Sequence, residues 1–185
     1  YDVYAFHLQV PAGVTTLEAV FQYLSPRRDG YEVTDRMLML EWNKMSLYPA
    51  GHFARDIQIE PSVSLPQGWQ FGSALETASQ SNGTTTFKPV TFNNLIDSPI
   101  YAGRHFRRVQ LNAADQAPVY LDIVADAPKF MEMTPAQVQV HRALVSQALK
   151  LFGSHHYDHY DFLFSLSDQL SGNGLEHHQS SEDGM

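Results

Sequence analysis

Apolar residues recur at every second position along much of the first two-thirds of the chain. The repeat occurs in four runs, which are Tyr4 to Val10, Leu17 to Tyr23, Ile57 to Leu65 and Val119 to Ala125. A period of two gives each run one buried side and one side that faces water, as in an antiparallel sheet. We therefore expect a mainly β fold, with an antiparallel, β-sandwich-like arrangement in this part of the chain.

Turn-forming residues separate these runs. Asn82-Gly83 is the strongest of these signals, because both residue types tolerate a positive φ and together favour a two-residue hairpin. Pro11-Ala12-Gly13 and Pro66-Gln67-Gly68 predict two further turns.

The pattern changes near residue 126, where helical periodicity begins. Thr134 is a predicted N-cap, Pro135 suits the first helical position, and Gln137 can complete a capping box. A helical stripe follows and Gly153 ends it; the stripe consists of Val140, Leu144, Ala148 and Leu151. The apolar run from 162 to 166 then predicts a buried strand. We place a β-rich domain, incomplete at its N-terminus, at 1–126 and the start of a second, α+β unit at 127–185.

Composition and charge exclude several classes of function. Hydrophobic residues make up 43% of the chain and charged residues 17%, which is enough apolar material for a packed core. The formal net charge of -8 argues against a nucleic-acid partner, since a phosphate binder needs a basic surface. No apolar run approaches the ~20 residues of a membrane span. The chain has no cysteine, which excludes disulfides, thiolate metal sites and a cysteine nucleophile.

Histidines and carboxylates concentrate in one stretch near the end of the helix. His155, His156 and His159 lie within five residues, beside Asp158 and Asp161. Imidazoles and carboxylates are common zinc ligands. The spacing is not that of His-Glu-x-x-His on a helix, and interleaved tyrosines favour packing. A structural or surface role is the preferred interpretation.

Two further groups of polar residues stand out. Arg107 and Arg108 would point to opposite faces of a strand, so no single anion pocket is implied and a solvated or ion-paired strand is the default. Gly174-Leu175-Glu176 is compatible with an edge strand, whose free N–H and C=O groups can pair with an extended peptide. A carboxylate at the end of such a strand could hold a free amino terminus. His177-His178 is a weak metal signal, because neighbouring strand residues face opposite ways.

Several long strings resemble the M61 family of metallopeptidases, the glycyl aminopeptidase family. They are WNKMSLYPAGHFARD at 42–56, LPQGWQFGSALE at 65–76, DSPIYAGRHFRR at 97–108 and, most specifically, HHYDHYDFLFSLSDQLSGNGLEHHQSSE at 155–182. The resemblance implies a β-rich N-terminal domain, a thermolysin-like catalytic domain and a PDZ-like domain. It also implies a zinc site made by His-Glu-x-x-His and a later glutamate. This sequence contains no such motif, so none of its residues is assigned as a zinc ligand.

The resemblance also implies a substrate site. Gly174-Leu175-Glu176-His177 is similar to the Gly-x-Met-Glu-Asn strand of the related M1 aminopeptidases, which pairs with the substrate backbone. Glu176 would then anchor the free α-amino group, and Gly174 would let the backbone approach closely. Leu175 belongs to the same substrate-binding strand, and His177 replaces the asparagine of that pattern.

These implications lead to one main hypothesis and two alternatives. The main hypothesis is a fragment of a zinc aminopeptidase that removes glycine or alanine from peptides with a free N-terminus, inactive and without zinc on its own. The alternatives are a β-sandwich interaction module and a relative that binds peptides without cleaving them. A fragment of this kind should also self-associate through the apolar surface that the rest of the catalytic domain would cover.

Overall fold

The computed structural model describes residues 4–25, 32–113, 115–170 and 174–185. In chain order its strands are β1 (Met37–Leu40), β2 (Gln58–Ile59), β3 (Ser62–Ser64), β4 (Gln70–Gly72), β5 (Thr77–Ser81), β6 (Thr84–Phe87), β7 (Val90–Thr91), β8 (Ile100–Gly103), β9 (Phe106–Gln110), β10 (Val119–Ala125), β11 (Tyr160–Leu166), β12 (Gly174–Glu176) and β13 (Ser180–Gly184). Its α-helices are α1 (Phe92–Ile96) and α2 (Pro135–Phe152). The prediction of a mainly β fold is confirmed.

Small antiparallel sheets form the first part of the fold. One has the order β1-β8-β4 and another the order β3-β6-β5, while β2 pairs with β7. The predicted hairpin is present: Asn82 and Gly83 have φ of 51° and 79° between β5 and β6. The side chains of Phe87, Phe92 and Ile100 are among those that form a core between these strands and α1.

A mixed sheet of five strands, in the order β12-β13-β11-β10-β9, forms the second part. β11 is parallel to β10 and to β13, whereas the two outer pairs are antiparallel. The sheet therefore combines strands from both sides of residue 126, and the domain boundary at that residue stays a prediction.

Helix α2 has the predicted ends. The Thr134 side chain accepts a hydrogen bond from the Gln137 N–H, and the Gln137 side chain accepts one from the Thr134 N–H, which completes the capping box. Gly153 ends the helix with φ of 74°. The predicted apolar stripe is largely uncovered, however: Val140 is 68% exposed and Leu151 is 77% exposed. The predicted helical periodicity is confirmed, but the described residues provide little surface against which this stripe could pack. No described helix combines the length and the apolar character needed to cross a membrane.

The strands expected at Tyr4 to Val10 and Leu17 to Tyr23 are not formed. Residues 4–25 lie outside every strand, and apolar side chains such as Phe6 and Val20 are exposed. An alternating pattern becomes a strand only where a neighbour takes up its N–H and C=O groups. No described strand pairs with this segment, which explains the difference.

The two faces of the five-stranded sheet differ in character. The helix-side face carries Leu121, Ile123, Phe162 and residues in register with them, and it packs on Val145 of α2 and on Met131. The opposite face, here called the carboxylate face, carries Asp122, Asp161 and Glu182. Strand alternation assigns every residue of β9–β13 to one face or the other.

Candidate substrate-binding edge strand

β12 lies at the edge of the five-stranded sheet. It pairs antiparallel with β13 through the register Gly174↔Asp183, Leu175↔Glu182 and Glu176↔Ser181. Its other side pairs with no described strand. The edge strand that the sequence predicted is therefore present, and its free main-chain groups suit the addition of an extended peptide.

Glu176 occupies the last position of this edge strand. It is exposed, and its register with Ser181 places it on the helix-side face. Ser181 in turn is in register with Phe162 of β11, which is only partly buried. A carboxylate at the end of a free edge, next to a partly apolar surface, can form an ion pair with the amino group of a peptide aligned along β12.

Gly174 and Leu175 have open surroundings. A Cβ atom at position 174 would meet no other atom within 4 Å, so the described chain itself does not require glycine there. Leu175 is exposed and lies on the carboxylate face, opposite to Glu176. The roles of Gly174 and Leu175 in substrate binding stay predictions.

His177 has a different environment from the three residues before it. Its side chain is only 8% exposed, with Nδ1 2.9 Å from Asp97 Oδ1 and Nε2 2.9 Å from Glu182 Oε1. Burial opposes protonation, but the hydrogen bonds to Glu182 and Asp97 outweigh it and raise the pKa of His177 above its ordinary value. Both contacts are made with side chains of this chain. Direct contact between His177 and substrate stays a prediction.

The other histidines of the region turn towards separate partners. His155 Nδ1 lies 2.8 Å from the Tyr157 carbonyl oxygen, and His156 Nε2 lies 2.7 Å from that of His178. His159 Nδ1 instead lies 2.6 Å from Asp161 Oδ2. In the described ranges, no three His, Asp or Glu side chains converge in a way that could hold a metal ion.

A buried charge network on the carboxylate face was missed by sequence reasoning. Arg108 donates two hydrogen bonds to Asp122, at 2.7 and 2.6 Å, and a third of 2.9 Å to Asp161. Asp122 and Asp161 are almost completely buried. Arg107 points the other way and donates to the Met131 carbonyl oxygen, as the opposite-face prediction requires. The signal in the sequence was a carboxylate among the apolar residues of each of two neighbouring strands, Asp122 in β10 and Asp161 in β11.

Protonation in this network is shifted by burial and by pairing. Burial raises the pKa of Asp122 to about 7, against the opposing effect of its salt bridge with Arg108. The hydrogen bond to Asp161 raises the pKa of His159 above its ordinary value, although burial works in the opposite direction. The Arg108 guanidinium and the His159 imidazole thus bind the carboxylates of Asp122 and Asp161. Three members of the network, Arg108, His159 and Asp161, line a cleft of about 1340 Å³ that Trp69 and Phe71 also line.

A family model and several solved structures are similar to this chain. The family model of the peptidase M61 N-terminal domain matches residues 1–104. No curated protein matches the chain. The fold is similar to that of an aminopeptidase N family protein from Idiomarina loihiensis, with a TM-score of 0.63, 17% identity, and coverage of 85% of this chain and 26% of that one. An M1 zinc metallopeptidase from Deinococcus radiodurans aligns with a TM-score of 0.48 and 13% identity over 86% of this chain and 38% of its own.

The two kinds of match support different statements. The chain spans about a quarter of the length of the Idiomarina protein, and at 17% identity that similarity shows the fold alone. The family match is broader, because it covers more than half of the 185 residues. This chain belongs to the peptidase M61 family.

Proposed function

We propose that this chain forms the substrate-pairing part of a zinc-dependent aminopeptidase that removes small N-terminal residues, glycine or alanine, from peptides. The observation that carries the proposal is the exposed carboxylate of Glu176 at the end of the free edge strand β12. The preference for glycine or alanine rests on the resemblance to the glycyl aminopeptidases.

The physical task of an aminopeptidase is to place the first peptide bond at a fixed distance from a positive charge. One extended residue spans about 3.3–3.6 Å, so a fixed carboxylate at the amino group also fixes the position of the first carbonyl. Main-chain pairing along β12 would orient the peptide, and Glu176 would set its register. An ammonium group that leaves water without such a partner is strongly disfavoured, and this supports selection for a free N-terminus.

By the family resemblance, zinc would be held by a His-Glu-x-x-His motif, and this sequence does not contain one. The described side chains do not converge as a ligand set, and the histidines near β11 and β12 contact carbonyl oxygens or carboxylates instead. When bound, zinc polarises the scissile carbonyl and lowers the pKa of its water. The contribution that we assign to this chain is therefore binding and registration of the peptide.

The test is hydrolysis of glycyl- and alanyl-anilides by the full-length protein that carries this sequence. We expect activity that a zinc chelator removes and added zinc restores, with bulky N-terminal residues cleaved more slowly. Peptide binding without hydrolysis in folded, zinc-loaded protein would favour a non-catalytic peptide binder. Neither binding nor hydrolysis would favour an interaction module.

A further inference from the structure

We propose that His177 is a positioning residue, which as an imidazolium fixes strand β12, and with it Glu176, to the preceding part of the fold. The inference rests on the proposed function for the role of Glu176. It concerns the residue that directly follows Glu176 in the chain and whose side chain lies on the opposite side of the strand.

The bridge consists of three side chains in a row. His177 Nδ1 faces Asp97 Oδ1 and His177 Nε2 faces Glu182 Oε1, both at 2.9 Å. A carboxylate oxygen accepts and does not donate, so an imidazole satisfies both contacts only when each of its nitrogens carries a proton. The arrangement therefore selects the charged ring, which lies between two negative groups.

Both partners of the imidazole belong to fixed parts of the protein. Asp97 directly follows α1, which inserts Phe92 and Leu95 into the core. Glu182 is 1% exposed on β13, and its Oε2 accepts a 3.0 Å hydrogen bond from the Tyr101 hydroxyl of β8. Tyr101 itself is fully buried. The titratable groups that face His177 are thus Asp97 and Glu182, with Tyr101 behind Glu182.

The edge strand has few contacts of its own. It is three residues long, which is the lower end of the usual strand length, and it pairs on one side only. The Asp97 carboxylate supplies a second attachment, because its Oδ2 accepts a 2.8 Å hydrogen bond from the His178 N–H. The segment that follows Glu176 is therefore held by the Asp97 carboxylate, directly after α1, and by the Glu182 carboxylate on β13.

The bridge also joins two parts of the chain that lie far apart in sequence. Asp97 and Tyr101 belong to residues 1–104, which match the family's N-terminal domain, whereas β12 lies beyond them. The position of the predicted amine anchor consequently depends on contact between these two parts. Loss of the charge on His177 would weaken that contact while leaving the Glu176 side chain unchanged.

The experiment uses the full-length protein with His177→Gln, Asp97→Asn and the double variant. The Gln amide has one donor nitrogen in place of the two of the imidazolium, and it carries no charge. The control is His178→Gln, since His178 is exposed and its backbone N–H still reaches Asp97. Amide hydrogen exchange of residues 174–178 and anilide hydrolysis between pH 5.5 and 9 are measured for each protein.

We expect faster exchange confined to β12 in His177→Gln and Asp97→Asn, with no change in the control. KM for the anilide should rise by about tenfold, which corresponds to one hydrogen bond to a charged group, whereas kcat changes much less. The double variant should raise KM no more than either single variant does, because both substitutions act through one bridge. In the unmodified protein KM should rise with pH as His177 loses its proton, and His177→Gln should reduce that rise to the part that comes from the substrate's own α-amino group.

Two results would overturn the inference. One is unchanged exchange in β12 together with an unchanged KM, and the other is faster exchange spread evenly over β8, β11 and β12, which would make the bridge a general stabiliser. If the unmodified protein hydrolyses no substrate, the proposed function fails, while the exchange data still decide whether His177 fixes the strand.

Discussion

Gly72 lies directly against Asp122: a Cβ atom at position 72 would lie 2.6 Å from Asp122 Cβ and would overlap the carboxylate as well. The close approach brings the edge strand β4 onto the face of the sheet that holds the buried charge network. Any side chain at position 72 would have to displace a carboxylate that is fixed by two hydrogen bonds from Arg108. The glycine is thus required by packing and not by its backbone angles.

Replacement of Gly72 by alanine should therefore destabilise the protein strongly. We expect a loss of about 2–3 kcal/mol in the free energy of unfolding, measured by urea denaturation, because the new methyl group overpacks a rigid site. The matched control is Gly174→Ala, where the added Cβ meets nothing within 4 Å. Equal stability of the two variants would show that Asp122 is free to move.

Loss of Arg108 should be more damaging than its partial exposure suggests. Arg108→Met would leave Asp122 and Asp161 buried without their guanidinium, and removal of one partner of a buried pair costs about 3–5 kcal/mol. The triple variant with Asp122→Asn and Asp161→Asn should recover part of that loss, because the buried charges are then absent. Urea denaturation at pH 8 measures both. A triple variant less stable than Arg108→Met would contradict the account.

Stability should fall as the pH rises from 6 to 9. The pKa values of His159 and His177 are raised in the folded protein, so their contribution is complete below the unfolded value of about 6.5 and is lost as pH passes the folded value. The pKa of Asp122 is also raised, to about 7, so its ionisation works in the same direction. Thermal unfolding across this range is the measurement, and His159→Gln with His177→Gln should flatten the curve. A rising Tm would contradict the assignment.

The sequence predicted local elements better than it predicted their surroundings. The ends of α2, the Asn82-Gly83 turn and the edge position of β12 depend on residues close together in the chain, and each was predicted. The strands expected within residues 4–25 were wrong, because pairing depends on a distant partner that a local pattern does not reveal.

The same limit applies to the candidate site. The Gly174-Leu175-Glu176 strand could be recognised from its own residues and from the family resemblance. The bridge from His177 to Asp97 joins residues 80 positions apart, and the contacts of Arg108 with Asp161 span 53. A charged residue at a buried position of a strand indicates that it has a partner, but only the fold shows which residue that partner is.

We also expect this chain to self-associate. Val140, Leu144 and Leu151 form an exposed apolar stripe on α2, and such a surface favours burial against a second copy. Sedimentation velocity should show association that increases with concentration and that Leu151→Glu reduces. Gln139→Glu is the control, because it adds the same charge at an exposed polar position of the helix outside the stripe. A monomer at all concentrations would contradict this expectation.

The most direct test of the central claim compares glycyl-anilide with N-acetylglycyl-anilide in the full-length protein, with and without Glu176→Ala. The exposed Glu60 supplies the control variant Glu60→Ala. If Glu176 holds the free amino group, the unmodified protein and the control should cleave only the free-amine substrate. In Glu176→Ala, kcat/KM for that substrate should fall by about a hundredfold, as expected when one partner of a desolvated charge pair is removed. Undiminished discrimination in Glu176→Ala would contradict the claim and place the amine anchor elsewhere.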